Sequence, residues 1–488
     1  MIRRILSLAL VGLLALAIFA ACQSSAPTLS PTAAPAEAIP VATESSPTAA
    51  AVSSPAPTDT VAAPATPTES SQAQATVSAP ASAAVQIALA DDAITVDGDG
   101  VTVNGNVATI ARAGVYSLSG ALSDGQIVVD TTDEGPVQLI LDGVKLANSS
   151  SAPLFIAAAE QVEIVLADGT TNTLTDGATY IFADPEEDEP DGALFSKADL
   201  TISGNGALVV TGNYEDGIVS KDGLVIAGGD ITVTAAEDAL HSNDSLTIDG
   251  GQLTLASGDD AIHAENTLTI NDGEIRITES VEGIESILIT INGGVIDLVS
   301  SDDGINAAGN DNGGNQLFIH GGDIAVNAAG DGIDVNGSIE MTGGVVIVNG
   351  PTENMNGALD FDATFDISGG FLAAAGSAGM AQAPSASSSQ RSLMLNFPSM
   401  LPAGTIVHIQ TGSGDSLLTF APLKAFQSLV FSSPALVQGD AIEIYYGGSA
   451  SDRLDSGLYQ GAYTPGEQVA SFTVSDVVTV IGNRPRFR

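Results

Sequence analysis

A short acidic motif returns at an almost constant spacing through the middle of the chain. Each copy is an acidic residue, then Gly or Ala, then Ile or Leu, and successive acids lie 22, 22, 22, 21 and 28 residues apart. The six acids are Asp216, Asp238, Asp260, Glu282, Asp303 and Asp331. A fixed period of this length is typical of a solenoid, in which each repeat forms one coil that stacks on the next.

A glycine-containing turn follows each acid by about a dozen residues, with short alternating strands on both sides, as at Gly250-Gly251. Stacking in register would bury the third residue of every motif: Ile218, Leu240, Ile262, Ile284, Ile305 and Ile333. A β-sandwich of hairpins is the alternative, but hairpins do not require a constant period with the same tripeptide. We therefore predict an all-β chain: a parallel β-helix of about 22 residues per coil, right-handed as parallel crossovers usually are, with a small C-terminal β domain.

Changes in composition along the chain predict the domain boundaries. Residues 23–84 and 381–391 are rich in small and polar residues and poor in large apolar ones, which is typical of tethers and linkers. The predicted organisation is a signal peptide at 1–22, a disordered tether at 23–84, the β-helix with its N-terminal cap at 85–380, a linker at 381–391 and a C-terminal β module at 392–482.

The single cysteine, Cys22, lies where a bacterial lipoprotein signal peptide would place it. Arg3 and Arg4 precede an apolar run, Ile5–Ala21, and small residues stand directly before Cys22. Phe19 departs from the usual Leu of the lipobox, and an ordinary signal peptide or membrane anchor is the alternative. We expect acylation of Cys22 and an extracytoplasmic protein anchored by lipid to the cell membrane or cell surface.

The charge of the chain restricts its partners. Lys and Arg number 13 against 59 Asp and Glu, a net charge of −46, which excludes binding to nucleic acid or an anionic membrane surface through the chain's own charge. We expect membrane contact through the lipid anchor only, and a monomer. Between residues 195 and 370 there are 29 acids, and the basic residues are Lys197, Lys221 and Arg276. Cations are therefore the natural partners of this region.

Equivalent acids on adjacent coils would lie about 4.8 Å apart and repel by roughly 3–4 kcal/mol at an effective dielectric of 20. Protonation or a bound metal must offset this, although a solvated, screened acidic edge is the alternative. Oxygen donors without cysteine, with His241 and His263 nearby, favour calcium over zinc. The predicted metal ligands are Asp216, Asp238, Asp259, Asp260, Glu282, Asp302, Asp303, Asn306, Asp331 and Asp334.

Two of the acidic turns, 302–306 and 330–334, resemble those of calcium-dependent β-helix pectate lyases. The stretch from about 190 to 482 resembles a bacterial family of extracellular carbohydrate-binding β-helix proteins, in its turns and in its C-terminal runs at 420–422, 428–434 and 445–449. The resemblance implies calcium at the acidic turns and affinity for plant-type polysaccharides, including acidic ones. Asn306 replaces the closing acid of the first turn, whereas Asp334 retains it in the second.

Three classes of function remain open at this point. A surface binding protein would present calcium to the carboxylates of an acidic polysaccharide. A polysaccharide lyase would need a basic residue such as Lys221, but nearby carboxylates raise a lysine pKa, and a charge partner is the simpler role. A structural stalk or adhesin would use calcium only for stiffness. We assign no catalytic residue, and place possible sugar stacking at Tyr445 and Tyr446, since the chain has no Trp.

Overall fold

The computed structural model describes residues 84–482, apart from 92, 183, 185, 187 and 310–313. The predicted signal peptide, Cys22 and nearly all of the predicted tether lie outside these residues. Within them the regular elements are β-strands, so the all-β prediction is confirmed. No helix in this part of the chain has the length and apolar character needed to cross a bilayer.

The N-terminal strands include two antiparallel pairs, β1–β2 and β3–β4, and β1 also pairs in parallel with β5. They are β1 (Val85–Ala90), β2 (Ala93–Asp97), β3 (Val101–Asn104), β4 (Val107–Ile110), β5 (Gly114–Leu122), β6 (Gln126–Asp130), β7 (Val137–Ala147), β8 (Leu154–Ala158), β9 (Gln161–Leu166) and β10 (Thr171–Thr175). From β4 onward the pairing becomes parallel, with β4 on β6 and β5 on β7.

The repeated motif lies in a parallel β-helix. Its strands are β11 (Gly192–Ser196), β12 (Asp199–Gly204), β13 (Ala207–Gly212), β14 (Asp216–Ser220), β15 (Leu224–Ile226), β16 (Asp230–Ala235), β17 (Leu240–Ser242), β18 (Ser245–Ile248), β19 (Gln252–Ala256), β20 (Ile262–Ile270), β21 (Glu274–Glu279), β22 (Ile284–Ile291), β23 (Val295–Ser300), β24 (Ile305–Ala307), β25 (Asn315–Ile319), β26 (Asp323–Ala328), β27 (Ile333–Val335), β28 (Gly337–Met341), β29 (Val345–Asn349), β30 (Asp360–Phe361), β31 (Phe365–Ile367) and β32 (Phe371–Gly376).

Three parallel sheets run along the axis of the β-helix. Sheet A stacks β11, β14, β17, β20, β22, β24, β27 and β30. Sheet B stacks β12, β15, β18, β20, β22, β25, β28 and β31, because β20 and β22 each span two sheets. Sheet C stacks β13, β16, β19, β21, β23, β26, β29 and β32.

The predicted apolar stack is confirmed. Neighbours in the series Ile218, Leu240, Ile262, Ile284, Ile305 and Ile333 are direct register partners in sheet A, and each is fully buried. Two features of the sequence fix the coil around them. Gly251, in the turn between sheets B and C, has φ 98°, which favours glycine. After the acid only a small residue fits: a Cβ on Gly304 would lie 2.4 Å from a methyl of Val326.

The C-terminal strands confirm the predicted small β domain. They are β33 (Ser392–Leu401), β34 (Val407–Thr411), β35 (Ser416–Phe420), β36 (Phe426–Ser432), β37 (Ala441–Tyr446), β38 (Ser449–Ala450), β39 (Tyr463–Thr464), β40 (Glu467–Thr473) and β41 (Val478–Ile481). Strands β35, β34, β37 and β40 form a separate sheet, whereas β36 pairs antiparallel with β32, the last strand of sheet C. The segment predicted as a linker lies along the final coil, where Ser388 Oγ accepts the backbone N–H of Ile367 at 3.0 Å.

Candidate functional site

The acids of the repeated motif form one column at the corner where sheet C ends and sheet A begins. This acid column consists of Asp216, Asp238, Asp260, Glu282, Asp303 and Asp331. Oδ1 of Asp216 accepts the backbone N–H of Asp238 at 2.9 Å, and Oδ1 of Asp238 accepts that of Asp260 at 2.9 Å. Oδ1 of Asp303 likewise accepts the N–H of Asp331 at 2.6 Å. Each of these acids therefore satisfies a backbone donor of the next coil with one oxygen and leaves the other free.

A second column lies three residues further along each coil. This flanking column consists of successive register partners: His241, His263, Glu285, Asn306, Asp334 and Asp360. Its chemistry changes along the axis from imidazole to carboxyl. The site therefore has two parts, which we call the histidine half (Asp216, Asp238, His241, Asp260 and His263) and the acid half (Asp303, Asp331, Asp334 and Asp360).

In the histidine half, carboxylates and imidazoles alternate. Nδ1 of His241 lies 3.1 Å from Oδ2 of Asp216 and 3.3 Å from Oδ2 of Asp238. Nδ1 of His263 lies 3.2 Å from Oδ2 of Asp238 and 3.4 Å from Oδ2 of Asp260. The two imidazole rings stack with centroids 4.9 Å apart and planes 9° apart. The oxygens that the backbone does not use thus meet the histidines.

Charge in the histidine half can be balanced internally. Burial opposes a positive charge on either imidazole, but the hydrogen bonds and charges of Asp216 and Asp238 outweigh it, so the pKa values of His241 and His263 are raised. Nε2 of His241 is buried without a hydrogen-bond partner in the described structure.

In the acid half, three carboxylates converge. Asp303, Asp331 and Asp334 each offer one oxygen within 4.8 Å of the other two. Burial is the main reason that the pKa of Asp303 rises to about 7 and those of Asp331 and Asp334 to about 6, and the neighbouring acids raise them further. Among the described residues, no ion pair joins these three carboxylates to a basic side chain. Three oxygens gathered in this way are suited to a hard divalent cation such as calcium.

The two halves meet at Glu282 and Asn306. Nδ2 of Asn306 donates to Oε1 of Glu282 at 3.1 Å and to Oε2 of Glu285 at 3.2 Å. Asn306 therefore bridges two acids and is not one of the three converging groups. Burial, followed by neighbouring carboxylates, raises the pKa of both Asp260 and Glu282. Oδ1 of Asp260 has no hydrogen-bond partner in the described structure, although the residue is only 5% exposed.

The other predicted ligands lie further out. Asp259 and Asp302 are exposed and belong to none of the three groups of clustered metal-type donors in the described residues. Those groups are Asp238 with His241 and His263, Asp260 with His263 and Glu285, and Asp303 with Asp331 and Asp334. The sequence analysis did not identify Glu285 or Asp360, and it treated both histidines only as neighbours. A signal was available for His241, His263 and Glu285, because each stands three positions after a motif acid, whereas Asp360 stands three positions after Gly357.

The basic residues near the β-helix differ in their surroundings. Nζ of Lys197 and Nζ of Lys221 each lie 3.0 Å from a carboxylate oxygen of Glu189. Burial opposes the charge on Lys221, but the hydrogen bond and charge of Glu189 outweigh it and raise its pKa, which makes it a poor base. Lys424 of the C-terminal module donates to the carbonyl of Ala328, at the end of β26, and burial lowers its pKa to about 8.

The tyrosines predicted to stack on sugar lie on β37 of the C-terminal module. Tyr445 donates to Glu443 and Tyr446 to Glu467, both at 2.8 Å. The ring of Tyr445 lies 6.5 Å from that of Tyr463, and Tyr463 stacks on His408 at 4.0 Å. As consecutive strand residues, Tyr445 and Tyr446 project to opposite faces of their sheet.

Residues 104–344 match the family described as carbohydrate-binding domain-containing proteins. The matched range contains the acid column and both histidines. A protein of that description from Acetivibrio thermocellus is 45% identical over 137 residues, which is 28% of this chain and 48% of the relative. This chain thus spans about half the length of the curated relative that it matches. These matches support carbohydrate binding.

A solved structure was also found, described as the polysaccharide lyase-like protein from C. thermocellum in a gadolinium derivative. It is 29% identical to this chain and covers 58% of this chain and 97% of its own. Its TM-score is 0.41.

Proposed function

We propose that this protein is a cell-surface carbohydrate-binding lipoprotein that binds acidic polysaccharide through calcium and does not cleave it. The observation that carries the proposal is the convergence of Asp303, Asp331 and Asp334, for which the described residues provide no cationic partner. A calcium ion held there would offset the repulsion among the three acids. Its remaining coordination positions would accept carboxylates of a uronic acid polymer such as polygalacturonate.

The overall charge of the chain requires such a bridge. With a net charge of −46 the protein would repel an anionic polymer, so affinity should depend on the bound cation. Calcium that only stiffened the β-helix, as in a structural stalk, would change the melting temperature without affecting polysaccharide binding.

Sedimentation with insoluble polygalacturonate tests the proposal. We expect wild-type protein to co-sediment with the polymer in calcium and to be released by a chelator. Asp334→Asn should lose most of this binding. Asp323→Asn is the matched control, because Asp323 is an exposed acid on the same coil at a different corner. Binding that survives the chelator would refute the calcium bridge and direct attention to Tyr445 and Tyr446.

A lyase is the second candidate, and Lys424 is the observation that favours it. Burial lowers the pKa of Lys424 to about 8, which suits proton abstraction near neutral pH. Calcium-dependent release of unsaturated oligosaccharide that disappears in Lys424→Ala would replace the binding-only proposal. We expect no such product, because in the part of the chain that the structure describes no Lys or Arg forms an ion pair with Asp303, Asp331 or Asp334, and a lyase needs cations to hold its substrate.

The anchor forms a separate part of the proposal. Acylation at Cys22 should place the protein outside the cytoplasm, attached to the cell membrane or cell surface. Metabolic labelling with a palmitate analogue should mark the wild type and fail in Cys22→Ser. Unlabelled mature wild-type protein in the culture medium would contradict it.

A further inference from the structure

The histidine half provides donors of a different kind from the acid half. Nδ1 of His241, Nδ1 of His263 and a carboxylate oxygen of Asp238 lie within 4.8 Å of one another. Imidazole nitrogen with one or two carboxylates is the donor set of zinc and similar transition metals, whereas calcium prefers oxygen alone. We propose that His241, His263 and Asp238 form a second metal site, specific for a zinc-type divalent ion.

The spacing of the donors fits that ion. In tetrahedral zinc sites, with bonds of about 2.0–2.1 Å, neighbouring ligand atoms lie about 3.3 Å apart. The two imidazole nitrogens lie 3.3 and 3.2 Å from Oδ2 of Asp238. This nitrogen–oxygen spacing matches that of neighbouring ligand atoms around such an ion. The rings stack nearly parallel, and because the lone pair of Nδ1 lies in the plane of its ring, both rings would rotate to direct Nδ1 at a shared ion.

One buried polar atom supports a ligand at this place. Oδ1 of Asp260 has no hydrogen-bond partner in the described structure, whereas Oδ1 of Asp216 and of Asp238 each accept a backbone N–H. Asp260 is 5% exposed and its other oxygen contacts Nδ1 of His263. Its carboxylate, or a water molecule, would take the fourth position on the ion.

A proton or a metal on Nδ1 of His241 would each leave an N–H at Nε2, and that atom is buried without a partner in the described structure, so Nε2 does not distinguish the two. A metal on Nδ1 would offset the carboxylates of Asp216 and Asp238 and leave the ring neutral. The bound ion would also join two successive coils.

Cobalt binding to the full chain tests this site, because tetrahedral cobalt has visible absorption bands that calcium lacks. We expect one cobalt ion per chain with a tetrahedral spectrum, displaced by zinc and unaffected by excess calcium. His263→Ala and His241→Ala should weaken cobalt binding by on the order of a hundredfold. The matched control is His320→Ala, since His320 lies on the β-helix outside both columns and its Nδ1 is 2.9 Å from Oγ1 of Thr342.

The two metal sites can be told apart by one further variant. Asp334→Asn should leave the cobalt spectrum intact while removing calcium binding, so loss of the calcium site would not affect this result. Calcium titration of His263→Ala also reports whether that variant folds. Octahedral cobalt, displacement by calcium, or unchanged affinity in folded His241→Ala and His263→Ala would overturn the proposal.

Discussion

The two halves of the column share one backbone and differ in how they balance charge. Both repeat the same acid, small residue and aliphatic residue, and in both an acid oxygen accepts the N–H of the next coil. In the histidine half the free oxygens meet imidazoles, whereas in the acid half those of Asp303, Asp331 and Asp334 converge on one another. The residue type three positions after the acid therefore decides whether a coil supplies a positive charge for its acids or must bind a cation.

The largest effect should come from converting the histidine half into an acid half. His263→Glu removes a partner of Asp238 and Asp260 and adds a fourth carboxylate. In a chelator we expect it to lower the free energy of unfolding by about 3 kcal/mol, as for a broken buried ion pair. Calcium should restore part of the loss. Chemical denaturation with and without calcium measures both, and His263→Gln separates loss of the imidazole from gain of the acid.

The next effect is on the pH dependence of stability, to which the acid half contributes through Asp303. Asp303 has a pKa of about 7, above the ordinary 3.8 of an unfolded aspartate, so the folded state binds more protons. Stability without metal should therefore fall as pH rises from 4 through 7, by about 2 kcal/mol after allowance for solvent screening. Calcium should flatten this dependence. A calcium-free protein that becomes more stable over the same range would contradict the assignment.

The same Asp→Asn substitution should change the free energy of unfolding in opposite directions in the two halves. Asp238→Asn leaves two imidazoles with weaker partners, and we expect a loss of about 1.5 kcal/mol in a chelator. Asp334→Asn relieves repulsion, and we expect a gain of roughly 1 kcal/mol under the same conditions. Thermal melts of both variants, beside Asp323→Asn, measure the difference. If both variants changed stability in the same direction, the two halves would not differ in charge balance.

The smallest effect should come from extending the histidine half by one coil. Glu285→His places an imidazole between Asp260 and Glu282, whose carboxyls have raised pKa values. Without metal we expect a gain of about 0.5–1 kcal/mol, near the upper range for a partly exposed ion pair. Calcium affinity should be preserved, since Glu285 is not among the three converging acids of the acid half. Loss of calcium binding would place the boundary between the halves elsewhere.

The fold could be predicted because the repeat period of the motif is visible directly in the sequence. Six residues that are register partners, from Ile218 to Ile333, stand at the same position of the same tripeptide. Because all six are buried in the core they are all aliphatic, which makes the pattern easy to recognise. The acid column followed from the same alignment, whereas the pairing of Asp331 with Asp334 came from the resemblance of the turn at 330–334 to those of calcium-dependent pectate lyases.

The flanking column was harder to predict because its members do not resemble one another. His241, Glu285 and Asn306 occupy the same register position but have different side-chain chemistry, because they are not all buried to the same extent. Only the three-dimensional register shows that Nδ1 of His263 lies between two acids of different coils. Lys424 could not be predicted either, because its contact with Ala328 joins residues 96 positions apart in different domains.

The pairing of strand β36 affects whether copies of this protein can assemble end to end. A stack of parallel coils ends in a row of unpaired backbone groups, on which another chain could continue the stack. Here β36 covers the end of sheet C with the reverse orientation, from Leu372 opposite Ser432 to Gly376 opposite Ser428. At the other end, the hairpin of β1 and β2 fills the same role. The strand edges at these two places are thus paired within the molecule, so another chain cannot extend the stack there.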